Sequence, residues 1–481
     1  MSGEILINVT PNETRVALVE NGVLQEVYIE RARKRGLVGN IYKGRVSRVL
    51  PGMQAAFIEA GLERTAFLHA SDIAQDEESA KTINELVHEG QDIMVQVIKD
   101  PIGTKGARLT TQISIPSRHL VYMPLTNHIG VSAKIEDEDE RQRLKDLMQS
   151  LSDDLKDGGY ILRTAAESVE MTELQADVDF LQRMWSDIQE RYQTSASESL
   201  IHEDFPLAMR TMRDLVTPEI EKVRIDSRET HQNAVKFAHK LIPQVENRIE
   251  YYPGERPIFD IYSVEDEIQK ALEKKVQLKS GGYLIIDQTE AMTTIDVNTG
   301  AFVGHRTLEE TIFKTNLEAA QAIAHHLRLR NLGGIIIIDF IDMQDEDHKR
   351  QVLRALDKCL DRDHAKCNIS QVSSLGLVEM TRKRTRESLE HILCEPCPTC
   401  NGRGSLKTAE SVCYEIFREL LREARQFEAQ KFLVLASQEV VDRLLDEESG
   451  SVAELEAFIG IPIKFQVESL YTQEQYDVVL M

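Results

Sequence analysis

The run Gly333-Gly334-Ile335-Ile336-Ile337-Ile338-Asp339 constrains this chain more than any other stretch. Four isoleucines between turn residues and an acid read as a strand buried on both faces, the kind an open α/β sheet carries. Asp339 stands where the apolar run stops, at the strand's carboxyl end. A second strand, Thr293-Thr294-Ile295-Asp296-Val297-Asn298, places Asp296 and Asn298 two residues apart and so on one face. Open α/β sheets bind ligands outside the carboxyl ends of their strands, so Asp296 and Asp339 are expected to meet over one small site. Two carboxylates and the Asn298 amide oxygen, with room for water and a phosphate, form the ligand set Mg²⁺ prefers. A single acid at a strand end is more often a turn former or helix cap. Three oxygen-bearing side chains on two apolar strands favour the metal.

A length of 481 residues suggests about three domains, and 42% apolar residues are ample for several cores. No stretch reaches the length of a membrane-spanning helix, and Met1 to Thr10 lacks the basic and apolar blocks of a signal peptide. Six cysteines, half of them between 394 and 400, make no disulfide framework. These features point to a soluble, cytoplasmic protein with no membrane partner. A net charge of -23 argues against nucleic acid, but its distribution does not. Arg31, Arg33, Lys34, Arg35, Lys43, Arg45 and Arg48 form one basic island, and Arg382, Lys383, Arg384 and Arg386 another. Each is either a solvated face or part of a track for a polyanion.

In chain order, 1–37 reads as three strands, two of them joined at Asn21-Gly22, the strongest short hairpin signal. Three strands without a helix close no core, so they are expected to join material from 215–280. From 38 to 118, short strands at Ile41–Val49, Ala55–Ile58, Thr65–Leu68 and Ile93–Ile98, punctuated by Gly and Pro, suit a small barrel. Phe57 and Phe67 on neighbouring strands, with Lys43, Arg45 and Lys105, would make a stacking platform for single-stranded bases; the alternative is that both rings are core. Residues 119–214 hold helices at Glu136–Lys156 and Val169–Glu190 around a strand ending in Arg163-Thr164, a guanidinium and a hydroxyl suited to a terminal phosphate. Residues 281–393 form the α/β unit, with helices at Leu308–Leu329 and Asp347–Leu360. Cys397-Pro-Thr-Cys400, followed by Gly-x-Gly, reads as a zinc-knuckle turn. It supplies two of the four ligands that structural zinc requires, so a second protomer is the economical completion. A redox role for this pair lacks a thioredoxin-like setting. The last unit, 405–481, reads as a small α+β accessory domain.

The segment with Gly39-x-Ile-Tyr-x-Gly-x-Val resembles the S1-type RNA-binding barrel, and the whole chain resembles the bacterial ribonuclease E and ribonuclease G endoribonucleases. The most specific residues are Ile295-Asp-Val-Asn298, Leu327 to Met343 and Cys397-Pro-Thr-Cys400. The resemblance implies a multidomain α/β and α+β chain. Its expected parts are a split ribonuclease-H-like domain (1–37 and 215–280), an inserted OB-fold barrel (38–118) and 5′-sensor (119–214), a deoxyribonuclease-I-like catalytic domain (281–393), a zinc link (394–404) and a small domain (405–481). It implies that Asp296, Asn298 and Asp339 act with catalytic Mg²⁺, and that Cys397 and Cys400 hold Zn²⁺ shared in a homodimer or tetramer. It also implies that Arg163, Thr164 and the Val121 backbone hold a 5′-monophosphate, and that Phe57, Phe67 and Lys105 guide single-stranded RNA. Ser117 sits where the family's ribonuclease E members carry a sensor Gly. Ending without a long Arg- and Pro-rich tail, the chain is expected in the ribonuclease G branch, acting in ribosomal RNA 5′-end maturation and mRNA decay. The competing expectations are a phosphatase or deoxyribonuclease using the same carboxylates, and a non-catalytic RNA-binding scaffold.

Overall fold

The structure, a computed structural model, describes residues 2–74, 82–101, 105–135, 137–152, 158–300, 308–363, 365–373, 375–384 and 386–481. They fall into two units, Met1–Ile392 and Leu393–Met481.

In the first unit a six-stranded sheet runs in the order Lys275–Gln277, Tyr283–Gln288, Met292–Asn298, Gly334–Asp339, Leu377–Arg382, Cys367–Val372. Only Met292–Asn298 and Gly334–Asp339 run parallel; the other pairs are antiparallel. Helices Leu308–Leu329 and Glu346–Leu360 supply Ala319, Ala320, Ile323, Leu327, Val352 and Leu356 to one core with Ile295, Val297, Ile336, Ile338 and Val378. The strand of four isoleucines is therefore covered on one face only. Ile336 and Ile338 are fully buried, whereas Ile335 is 47% exposed and its register partner Met292 is 38% exposed. The expectation of burial on both faces is corrected: an apolar period of one cannot report that cover arrives on one side.

Around this sheet stand three further layers. Gly3–Val9 pairs antiparallel with Glu13–Glu20 and parallel with Ile220–Ile225, so strands more than two hundred residues apart share one sheet. The Asn21-Gly22 turn has positive φ at both residues (51° and 78°), the backbone that fits a two-residue hairpin. Helices Leu207–Asp214 and Arg228–Leu241 bury Leu207, Met212, Ala234 and Ala238 against Ile5, Ile7, Val16 and Leu18.

Ile41–Leu50 pairs with both Ala55–Glu59 and Asp92–Lys99. With Ala66–His69 and Arg108–Thr110 this closes a five-stranded barrel. Inside its wall, a Cβ on Gly44 would lie 2.4 Å from Ile58, so only glycine fits there. The next sheet, Ile129–Val131, Gly159–Leu162, Leu120–Met123 and Ile115–Pro116, packs Tyr122 and Tyr160 against helices Glu138–Ser152 and Met171–Thr194. The expected ends of the first of these helices, Glu136 and residues 153–156, lie outside the described residues.

The second unit is a three-stranded sheet, Ile463–Val467, Phe432–Ala436, Tyr476–Leu480, with helices Ala409–Gln426, Gln438–Leu445 and Ser449–Ile459. Its core joins Val412, Ile416 and Leu420 to Phe432 and Val434. Among the described residues no helix is long and apolar enough to cross a membrane.

Candidate active site

Asp296 and Asp339 are register partners on the parallel pair of strands, both on the sheet's uncovered face. Alternation produces this directly. Thr293, Ile295 and Val297 point into the core, so Asp296 and Asn298 point away from it. Asn298 donates its amide N–H to Asp296 Oδ2 at 2.8 Å. Its nitrogen thus faces the carboxylate, so Asn298 tethers Asp296 through one end of its amide. Burial pushes the Asp339 carboxyl above its ordinary range, and the carboxylates of Asp296 and Asp342 push it further. Asp342 lines a cavity of about 300 Å³ with Lys349, Ser373 and Gly376. Sequence reading passed over Asp342, although its spacing from Asp339 in Asp-Phe-Ile-Asp was a usable signal.

Asp339 is raised first by burial and then by the charges of Asp296 and Asp342, and carboxylate oxygens of this kind suit a hard divalent cation. Among the described residues no group of three or more His, Cys, Asp or Glu side chains is gathered closely enough to form a metal cage. The in-register carboxylates of Asp296 and Asp339 are oxygen donors of the kind Mg²⁺ takes in ones or twos, with water and phosphate completing its shell.

On the barrel, Phe57 and Phe67 are register partners with ring centroids 6.2 Å apart, edge to face. Both are half-buried and outside the barrel core, which is built from residues such as Val46, Ile58 and Leu68. Lys105 is exposed. Lys43 and Arg45 do not join this platform. Lys43 donates to the carbonyls of Tyr192 and Ser195, and Arg45 pairs with Asp92 and Ser197. In their place, exposed Arg48 is the register partner of Phe57, and His69 lies 6.5 Å from the Phe67 ring.

Several residues of the basic islands are paired within the fold, while Arg33, Arg48 and Lys383 are exposed. Arg31 pairs with Glu13 and Arg35 with Glu203. Arg382 is buried, bidentate to Asp363 at 2.6 and 3.0 Å, and also donates to Asn331 and the Leu332 carbonyl. Arg386 stacks 3.6 Å over the Tyr28 ring.

At the end of Gly159–Leu162, Arg163 donates to the Ser117 carbonyl at 2.6 Å and pairs with Asp214 at 2.8 Å. Exposed Thr164 has its hydroxyl 3.4 Å from that of Ser132. Buried Asp177 accepts from the Ser117 hydroxyl and the His119 N–H and so fixes this turn. The Ser117 N–H is already bonded to Leu120 O at 2.8 Å. Val121 has strand neighbours on both sides, Ile161 and Pro116.

In the second unit, Cys397 and Cys400 sit on one turn. The Gly404 N–H lies 3.3 Å from the Cys400 sulfur, and backbone hydrogen bonds from Cys400 and Thr399 hold the Cys397 thiol below its ordinary range. N–H groups aimed at sulfur stabilise thiolate, the form that ligates zinc, so the pair fits that ion. Cys413 is a core residue whose thiol burial pushes up to about 11.

A model of the ribonuclease E/G family matches residues 114–385, and one of the S1 RNA-binding domain matches 37–110, in agreement with the expected barrel. A third, described as an RNase E/G thioredoxin-like domain, matches 396–480. This corrects the ground on which a redox role was set aside. The Cys pair nevertheless precedes the unit's first strand and lies in a turn ahead of helix Ala409–Gln426, not at a helix start after a strand. The chain is 56% identical to ribonuclease G of Escherichia coli (strain K12) over 100% of both chains. It is 56% identical to ribonuclease G of Haemophilus influenzae over 99% of both. Against ribonuclease E of Escherichia coli (strain K12) it is 37% identical over 94% of its own length and 43% of the relative's. Through these matches, which span the barrel, the carboxylate sheet and the cysteine unit alike, the chain belongs to the ribonuclease E/G family.

Proposed function

We propose that the chain is a single-strand-specific, Mg²⁺-dependent endoribonuclease that leaves 5′-phosphate and 3′-hydroxyl ends and is stimulated by a 5′-monophosphate on its substrate. As a family member it is an endoribonuclease of the hydrolase class. The observation that carries the finer reading is the in-register pair Asp296 and Asp339 on an uncovered face, with Asn298 bonded to Asp296. Bound there, Mg²⁺ supplies charge neutralisation and Lewis-acid polarisation of a phosphodiester. Asp296 and Asp339 would hold the cation, and Asn298 holds Asp296 in place. The uncovered face leaves room for a phosphodiester and an attacking water beside these carboxylates.

Phe57 and Phe67 offer ring faces and edges to unstacked bases, and exposed Lys105 contributes charge, which supports a single-stranded substrate. Arg163 and Thr164 support the terminal-phosphate pocket. The bonded Ser117 N–H argues against its use as a phosphate donor, so the side chains carry more of that task here, alongside backbone near Val121. The Cys397 and Cys400 pair supports a zinc shared by two protomers of a cytoplasmic homodimer. Ribosomal RNA precursors and messengers are the inferred substrates. The inferred domains are those set out from the sequence, with the split ribonuclease-H-like part joined through the Gly3–Val9 and Ile220–Ile225 pairing. The test is incubation with a short 5′-monophosphorylated RNA, with Mg²⁺ or with EDTA, and mapping of the product ends. Internal cuts only with Mg²⁺, bearing 5′-phosphates, are expected; RNA bound and never cut would make the chain a scaffold.

A further inference from the structure

Behind Arg163 runs a chain of alternating charges. Arg163 spends Nη1 on the Ser117 carbonyl at 2.6 Å and Nη2 on Asp214 Oδ1 at 2.8 Å. Asp214, the last residue of helix Leu207–Asp214, also accepts from Nε and Nη2 of Arg213 at 3.1 and 2.9 Å. Arg213 reaches on to Asp204 at 3.3 Å. The Arg213 side chain is only 8% exposed, so Asp214 is gripped from the protein side by a buried guanidinium and offers its outer edge to Arg163. Burial pushes the Asp214 carboxyl up, but the hydrogen bonds and charges of Arg213 and Arg163 outweigh it and keep the group ionised.

A guanidinium carries five N–H donors in one plane. Once each terminal nitrogen has an acceptor anchored in the fold, that plane is set and the remaining donors keep one direction. A long, half-exposed arginine without such anchors loses rotamer entropy each time it grips a ligand. Arg213 and Asp204 matter because the four groups sum to zero: Asp214 does not leave the pocket with surplus negative charge. Without the Asp214 carboxylate, Arg163 and Arg213 would face each other as like charges and part.

We propose that Asp214 is a positioning residue for the phosphate pocket, holding the Arg163 fork in the orientation that meets a terminal phosphate beside Thr164. It acts through Arg163 and does not touch the phosphate. This rests on the reading of Arg163 and Thr164 as that pocket. The opposite scheme, in which Asp214 competes with phosphate for the fork, predicts the opposite sign.

The test measures, by fluorescence anisotropy, the full-length protein's affinities for one uncleavable 2′-O-methyl oligoribonucleotide carrying a 5′-phosphate or a 5′-hydroxyl. The ratio of the two is the readout, since any general loss of fold or of grip on RNA cancels in it. Arg163→Ala is expected to bring the ratio to about one, Asp214→Asn to lower it by about fivefold or more, and Asp214→Glu to regain part of that loss. A ratio at or above the unsubstituted protein's for both Asp214 variants, while Arg163→Ala collapses it, overturns the positioning role and leaves the pocket standing. A ratio that survives Arg163→Ala removes the pocket itself, and this proposal with it.

Discussion

Replacing Asp339 with Asn separates what the carboxylate does in catalysis from what its charge does to the fold. Adjacent strands lie about 4.8 Å apart, and unit charges at about that separation, as for in-register Asp296 and Asp339, repel by about 0.9 kcal/mol at the dielectric of water. The site faces solvent, so this weak limit applies and a low-dielectric figure does not. Because the folded carboxyl is raised, ionising it opposes folding; that penalty is absent below the ordinary carboxylate pKa and complete above the folded one. At pH 7 in EDTA, the variant should therefore be more stable by about 1 kcal/mol, or roughly 2 °C in Tm. The gain should disappear as pH falls to about 3, where both proteins carry a neutral group. Mg²⁺ should reverse the order by raising the Tm of the unsubstituted protein alone. RNA cleavage should fall at least about a hundredfold. Thermal unfolding with and without Mg²⁺, alongside timed cleavage of a labelled RNA, measures all of this. Near-normal turnover by the variant would refute the catalytic assignment, and a lower Tm in EDTA at pH 7 would refute the charge repulsion.

Phe67→Ala should weaken binding of unstructured RNA by about 1–3 kcal/mol at fixed salt, the worth of one stacked base, with the melt unchanged; equal affinities would return both rings to a packing role. Cys397→Ser should abolish a zinc content of about one ion per two chains and halve the mass seen by light scattering, so an unchanged mass would place the protomer contact elsewhere. Asp363→Ala strands the buried Arg382 guanidinium and should lower stability to chemical denaturation by about 3–5 kcal/mol. A loss below 1 kcal/mol would mean that Asn331 and the Leu332 carbonyl suffice for Arg382.

Periodicity made most strands and the main helices legible. Alternation in Met292–Asn298 put Asp296 with Asn298, and Asn21-Gly22 marked its hairpin. Which face of a strand is covered was not legible, because cover is supplied by residues distant in the chain. Ile335 and Ile337 read no differently from Ile336 and Ile338, yet the two helices reach only the latter pair. The same distance hid the fate of the basic residues. Arg31 finds Glu13 18 positions away, and Arg386 finds the Val27 carbonyl 359 positions away. A cluster of like charges in a sequence therefore describes an outer surface only after the acids and carbonyls that the fold brings to it have been subtracted. Subtraction here leaves Arg48 beside Phe57, and exposed Lys105, as the charges near the aromatic pair. It turns Arg163 the other way: the residue that looked like a bare fork at a strand end already holds an acid, so its readiness for phosphate depends on what anchors that acid from behind.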